Sequence, residues 1–364
     1  MIKDLKATSQ DLPNKIFLGQ VWTPEFIVQK MLALISIKEP ELILECSSGT
    51  GNFYFPLKKQ YRNVIGIELD QQIAHKDALI KSYFETNFQP DVIIGNPPYV
   101  EFKLIQNKPQ SQLLIHKPNL FHFFLEKALK DLKPHGELIW IIPGNIFTNT
   151  SSRALNEIIN QNYSITHWEP MAENVWPNAS VPTAIVKLVK TINHPQKLET
   201  FFAHGKIIFG QPIEWNHQLV IKVGAACGFK NQLQPGPTEF VVSQTERNQQ
   251  TIKITYQPQK WIRPTPKAPN GFTYQIFVNS KTRKAQPFYM LQKLAKGQFV
   301  HYDAAVLCIY TFNSKASAVV LMDKLNRYDW VKAGIKKDGR FHFSQSILQA
   351  VIKIEMIVHN SLIL

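Results

Sequence analysis

The chain is poor in the residues that build metal or disulfide frameworks. Of its 364 residues only three are cysteine, Cys46, Cys227 and Cys308, far apart and without metal-ligand spacing. An odd, sparse count excludes a disulfide scaffold and suits a reducing cytoplasm. Long apolar runs are also missing. The polar start, Met1-Ile2-Lys3-Asp4, has no signal-peptide core, and the C-terminal run from Ile347 to Leu364 is interrupted by Lys353, Glu355 and His359. That run reads as a packed terminal segment, so a membrane partner is not expected. No repeat or low-complexity tract is present. Hydrophobic residues make up 44% and charged residues 19%, which excludes disorder as the main state.

Acidic charge is scarce in one half only. Residues 1–190 hold 19 Lys and Arg against 18 Asp and Glu; residues 191–364 hold 22 against 9. A near-neutral half followed by a half of net +13 implies a division of labour, in which the second half meets a polyanion.

In the first half, apolar strands alternate with helical patterns. Thr23-Pro24-Glu25 reads as a helix start with Thr as cap, followed by Ile27, Met31 and Leu34 at helical spacing. Leu42 to Leu44, Val64 to Ile67, Val92 to Gly95, Leu138 to Ile142 and Thr183 to Val189 read as strands. Leu120 to Leu132 and Ser152 to Ile159 read as helices. This alternation predicts an α/β fold with a doubly wound parallel sheet. Turn residues crowd the chain beyond Thr191, as in Gln234-Pro235-Gly236-Pro237 and Ala268-Pro269-Asn270-Gly271, with short β-rich stretches such as 251–256 between them. The expected domains are therefore 1–195, a catalytic α/β domain, and 196–364, a basic, β-rich domain.

The most informative residues are Asn96-Pro97-Pro98-Tyr99. They follow the apolar run 91–95, and two prolines force the chain out of the sheet at the strand's carboxyl end. Ligands gather at that edge of an open α/β sheet. The turn offers a side-chain amide, a peptide carbonyl and an aromatic ring, a set suited to a planar, neutral amine. Upstream, the loop from Glu45 to Phe53 carries Gly49 and Gly51 after the first strand. It lacks the third glycine of a dinucleotide fingerprint and keeps a carboxylate, so it suits an amine-bearing ligand better than a pyrophosphate. Glu68, about 20 residues past the loop, is placed to accept from ribose hydroxyls. Loop, acid and turn together point to a nucleoside cofactor, S-adenosylmethionine, and an amine acceptor.

With those motifs in that order, the chain resembles the γ-class adenine-N6 DNA methyltransferases of the TaqI type, from about Gly19 to Lys190. Gln20 to Pro24 matches their N-terminal cofactor motif, Glu45 to Phe53 the glycine loop, Glu68 the ribose acid and Asn96 to Tyr99 the catalytic turn. Pro118 to Phe121 and Trp140 to Pro143 match scaffold motifs, and Asn174 to Pro177 the segment whose aromatic stacks on the target base. Ser82 stands where the family carries an Asp that contacts the cofactor adenine, and Cys46-Ser47 replaces a pair that usually contains Pro. The resemblance implies a Rossmann-like methyltransferase sheet with a C-terminal β-rich target-recognition domain. It implies S-adenosylmethionine held by Thr23, Glu45, Ser47, Gly49, Gly51, Glu68 and Ser82. Asn96, Pro97, Pro98 and Tyr99 are then the catalytic turn, with a flipped adenine stacked between Tyr99 and Trp176. The mechanism needs no metal.

Double-stranded DNA is the expected partner, with contacts from Lys260, Arg263, Lys281, Arg283, Lys284, Lys336, Lys337 and Arg340, cations set among turns and aromatics. Any cognate restriction endonuclease is expected on a separate chain. Pro90-Asp91 with Glu101-Phe102-Lys103 spells a nuclease pattern, but it overlaps the methyltransferase turn. The same turn serves enzymes that methylate protein glutamine or guanine in RNA; those favour an added N-terminal substrate domain, whereas the extra mass here is C-terminal. A non-catalytic DNA-binding specificity protein is the other reading.

Overall fold

The structure is a computed structural model describing residues 21–114, 117–171, 182–226, 234–337 and 339–354. The chain divides into two compact units, residues 1–199 with 205–207, and residues 200–204 with 208–364.

The first unit is the expected doubly wound sheet. Its seven strands are β1 (Ile43–Glu45), β2 (Val64–Glu68), β3 (Leu79–Ile80), β4 (Val92–Gly95), β5 (Glu137–Pro143), β6 (Ser164–Pro170) and β7 (Thr183–Val189), in the order β3-β2-β1-β4-β5-β7-β6. The first five run parallel, and β7 lies antiparallel between β5 and β6. Strand order reverses between β1 and β4, which makes the carboxyl ends of those two strands the switch-point crevice.

The sheet is apolar on both faces because crossover helices cover it. Helices α1 (Glu25–Leu32) and α2 (Tyr54–Gln60) place Ile27, Val28, Met31 and Leu57 against Ile43, Val92, Ile94, Ile139 and Ile141. The alternate residues Leu44, Ile93 and Leu138 are equally buried and belong to the other face. Helix α3 (Leu120–Asp131) is capped by Asn119, whose side chain accepts from the Phe121 amide at 3.1 Å. Its Phe124 ring lies 5.5 Å from Tyr83 and 4.9 Å from Phe84. Helix α4 (Arg153–Asn162) completes the crossover to β6. One buried ion pair ties β5 to β7: Lys187 Nζ lies 2.9 Å from Glu137 Oε1, and the second carboxylate oxygen accepts from the Ser36 amide at 2.9 Å.

Two expectations are corrected. Thr23 does not cap α1: Pro24 occupies the cap position and no side chain bonds the first turn. The Thr23 hydroxyl is drawn to another partner, described below. β3 and β6 add strands where none was read.

The second unit is β-rich. Its central antiparallel sheet pairs Leu219–Val223 and Tyr274–Asn279 with the fully buried strand Val306–Thr311. Helicity is not as scarce as the turn residues suggest: Lys315–Arg327 is a 13-residue helix capped by Ser314, with Ala318, Leu321 and Leu325 buried. No helix among the described residues is long and apolar enough to cross a membrane.

Candidate functional site

Three strand ends bring the site together. β1 lies between β2 and β4, so Glu45, Glu68 and the turn after Gly95 share one edge. Gly95 has φ +148°, and a Cβ there would lie 3.5 Å from Glu45 Cγ; a residue without a side chain lets the turn leave the strand beside that carboxylate.

Glu45 is 2% exposed, and its Oε2 has no hydrogen-bond partner. Burial, then the nearby Glu68 charge, pushes its carboxyl well above the usual range. Glu68 is saturated differently. Its Oε1 accepts from the Leu69 and Asp70 amides, both at 2.9 Å, and its Oε2 from the Gly49 amide at 2.8 Å. One acceptor position on Oε2 remains for a ligand hydroxyl. Ser82 sits just past β3, where Lys81 N donates to the Glu68 carbonyl at 3.0 Å, so it belongs to the same edge. The glycine loop closes by Ser48 N donating to the Ile67 carbonyl and Gly51 N to that of Ser48, each at 2.8 Å. Beneath the loop, His75 stacks on Tyr54 with ring centroids 4.1 Å apart, and burial lowers its pKa.

In the turn, Asn96 is held at both ends. Its backbone carbonyl accepts from Ser47 Oγ at 3.2 Å, and its Nδ2 donates to Thr23 Oγ1 at 3.3 Å. Its Oδ1 is buried without a partner. Pro97 is buried and Pro98 half-buried. The Tyr99 hydroxyl donates to the Ile141 carbonyl at 2.6 Å, which fixes the half-buried ring, and burial keeps the phenol neutral by raising its pKa. Trp176 lies outside the described residues. The chain on either side of it does reach this edge: Met171 follows β6, Pro182 precedes β7, and Met171 N donates to the Thr183 carbonyl at 2.9 Å. Among the described residues no group of three or more His, Cys, Asp or Glu could hold a metal ion.

In the second unit the basic residues fall into two places. Lys281–Thr282, Arg340–His342 and Lys336–Lys337 form one antiparallel sheet, with Lys281 opposite His342 and Lys337 opposite Arg340. This brings together two clusters more than 50 residues apart in sequence; Lys281, Arg283, Lys336 and Arg340 are exposed. Lys284 is exposed as well, but its Nζ donates to the Glu246 carbonyl. Lys260 and Arg263 lie elsewhere, flanking Trp261, which stacks on Phe240 at 5.3 Å. Arg263 exchanges backbone bonds with Ala226, and its Nε donates to the Gly224 carbonyl at 3.1 Å.

Two buried acceptors without partners, Glu45 Oε2 and Asn96 Oδ1, thus lie at neighbouring strand ends. Residues 33–175 match the family model of the Eco57I restriction-modification methylase. The chain is 32% identical over 197 residues to the type II methyltransferase M.HincII of Haemophilus influenzae, covering 50% of this chain and 39% of that protein. It is 29% identical over 143 residues to the type II methyltransferase M.CvrRI of Paramecium bursaria Chlorella virus XZ-6E, covering 36% and 38%. The chain thus spans under two fifths of the length of these curated relatives. A modification subunit of a putative type I restriction enzyme from Vibrio vulnificus is similar in structure with a TM-score of 0.40 at 16% identity, covering 48% of this chain and 45% of that one.

Proposed function

We propose that the chain is a DNA methyltransferase that moves a methyl group from S-adenosylmethionine to the exocyclic N6 amine of an adenine swung out of the duplex. The observation that carries this reading is the pair of unpartnered buried acceptors, Glu45 Oε2 and Asn96 Oδ1, at adjacent strand ends. A buried carboxyl in that position ionises most readily beside a cation, and the cofactor's amino-acid ammonium supplies one. Glu68 keeps acceptor capacity for ribose hydroxyls, so the residues present fit the group. When bound, S-adenosylmethionine supplies an electrophilic methyl on a sulfonium.

The chain's own residues deal with the acceptor. Adenine N6 is a poor nucleophile because its lone pair is delocalised into the ring. Asn96 Oδ1 and the Pro97 carbonyl accept its two hydrogens and draw the nitrogen towards tetrahedral geometry, freeing the lone pair. Both acceptors are neutral, and positioning supplies much of the rate. Adenine N6 is out of reach inside a duplex; everting the base costs a few kcal/mol, offset in part by stacking on Tyr99 and, by resemblance, Trp176. Basic residues of the second unit supply phosphate contacts, and any cognate restriction endonuclease is expected on another chain.

Asn96→Ala is expected to abolish methyl transfer while cofactor binding stays within a few-fold. Sequencing of methylated bases in a host expressing the gene should return N6-methyladenine at one sequence; methylcytosine or unmodified DNA would refute the reading.

A further inference from the structure

We propose that Thr23 is a positioning residue for Asn96, and that Asn52 of the glycine loop fixes Thr23 in turn. The proposal rests on the reading above for what Asn96 does, but the contacts stand by themselves. Thr23 is 3% exposed, and its hydroxyl accepts from Asn96 Nδ2 at 3.3 Å across 73 residues of sequence. Its carbonyl accepts from Asn52 Nδ2 at 3.2 Å, and Asn52 Oδ1 accepts from Thr50 Oγ1 at 3.1 Å. A chain of side chains thus runs from the glycine loop through Thr23 to the amide whose Oδ1 is left unpartnered.

The chemistry gives this chain a purpose. An amide can sit in either of two flips, and only the one with Oδ1 towards the acceptor amine can take a hydrogen from it. A hydroxyl can serve either flip, so the two N–H donors of an incoming amine select the flip and Thr23 then accepts from Nδ2. An N–H that is itself bonded polarises the amide and makes Oδ1 a better acceptor. Ser47 holds the backbone carbonyl of the same residue, and the Thr23 hydroxyl restrains the swing of its side chain. Asn52 hands its own amide to Thr23, so the loop expected to hold the cofactor also sets the angle of the acceptor that receives the substrate.

The test is Thr23→Val, which keeps the shape and removes the hydroxyl, beside Thr23→Ser, which keeps the hydroxyl. Thr23→Ala repeats the comparison without valine's second methyl. With the full chain and cognate DNA, the single-turnover rate at saturating cofactor is expected to fall at least tenfold in Thr23→Val and to return to within about threefold of wild type in Thr23→Ser. Saturating cofactor offsets any part Thr23 itself plays in holding it, so the fall in this rate reports on the contact with Asn96. A large loss of cofactor affinity with an unchanged saturated rate would make Thr23 a cofactor ligand and overturn the proposal.

A second measurement needs no activity. In protein labelled with 15N-asparagine, the Asn96 side-chain amide, assigned by its loss in Asn96→Ala, should move towards the free-asparagine position in Thr23→Val and hold in Thr23→Ser. An unmoved signal in Thr23→Val overturns the proposal even if the chain methylates nothing, an outcome that would instead sink the proposed function.

Discussion

Glu45 carries the sharpest consequence at the scale of one residue. A carboxyl whose pKa is raised by burial holds a proton in the folded chain that the unfolded chain has already released. Folding stability therefore falls as pH climbs above the usual Glu value of about 4.3. Glu45→Gln removes the slope. At pH 8 this variant is expected to melt higher than wild type in the absence of ligand, by about 2–4 °C for each kcal/mol recovered. The gap should close on acidification, and the variant should bind cofactor more weakly. A variant that melts at the wild-type temperature at pH 8 would mean the carboxylate has a counter-charge. Tyr99→Phe separates the observed contact of its residue from the proposed one: losing the bond to the Ile141 carbonyl should cost about 1–2 kcal/mol in denaturant unfolding, because a buried carbonyl is left unpaired, while the face proposed for stacking survives.

Among elements, the β5–β7 pairing depends on one ion pair. Lys187 and Glu137 are both nearly inaccessible, and each has further partners, the Leu34 carbonyl at 2.7 Å for the lysine and the Ser36 amide for the glutamate. Lys187→Met leaves the carboxylate buried and uncompensated, and about 3–5 kcal/mol of unfolding free energy should go with it. Lys187→Met with Glu137→Gln should recover part of that loss, measured by urea midpoints at constant slope.

The elements also show what a sequence discloses and what it hides. β1, β2, β4 and β5 are short apolar runs closed by turn residues, and the two prolines after Gly95 announce the turn by themselves. β6 was hidden because it is an edge strand: His167 and Glu169 are only half-buried, so its apolar alternation is broken. The helix Lys315–Arg327 carried a readable signal, Ser314 as cap and Ala318, Leu321 and Leu325 at spacings of three and four, but Ser, Asp, Lys and Asn between them dilute it. Local rules made Thr23 a helix cap because Thr-Pro-Glu is a common start. The structure spends that hydroxyl on Asn96, 73 residues away, and no local rule reaches so far. Likewise the register that pairs Lys337 with Arg340 and Lys281 with His342 gathers cations that sequence shows only as separate clusters.

At the scale of the whole molecule, charge asymmetry would govern how the chain meets the proposed duplex. A net charge of +14, nearly all of it in residues 191–364, should make DNA affinity fall steeply with salt. Each phosphate contact adds roughly −0.9 to the log–log slope. Lys281→Ala with Arg340→Ala should flatten the slope by about 2 and weaken cognate and random duplexes equally. Lys284→Ala should leave the slope where it is and lower stability, since its ammonium already serves the Glu246 carbonyl. A salt-independent affinity in the parent chain would remove the basic half from DNA binding altogether.

The lone carboxylate oxygen at the end of β1 has one more effect, on heat. If burial keeps Glu45 protonated and an ammonium group then settles against it, the proton must leave for the solvent. Calorimetric enthalpies of cofactor binding should accordingly differ between phosphate and Tris by the difference in buffer ionisation heat, and the Glu45→Gln chain, with nothing to release, should make the two titrations coincide.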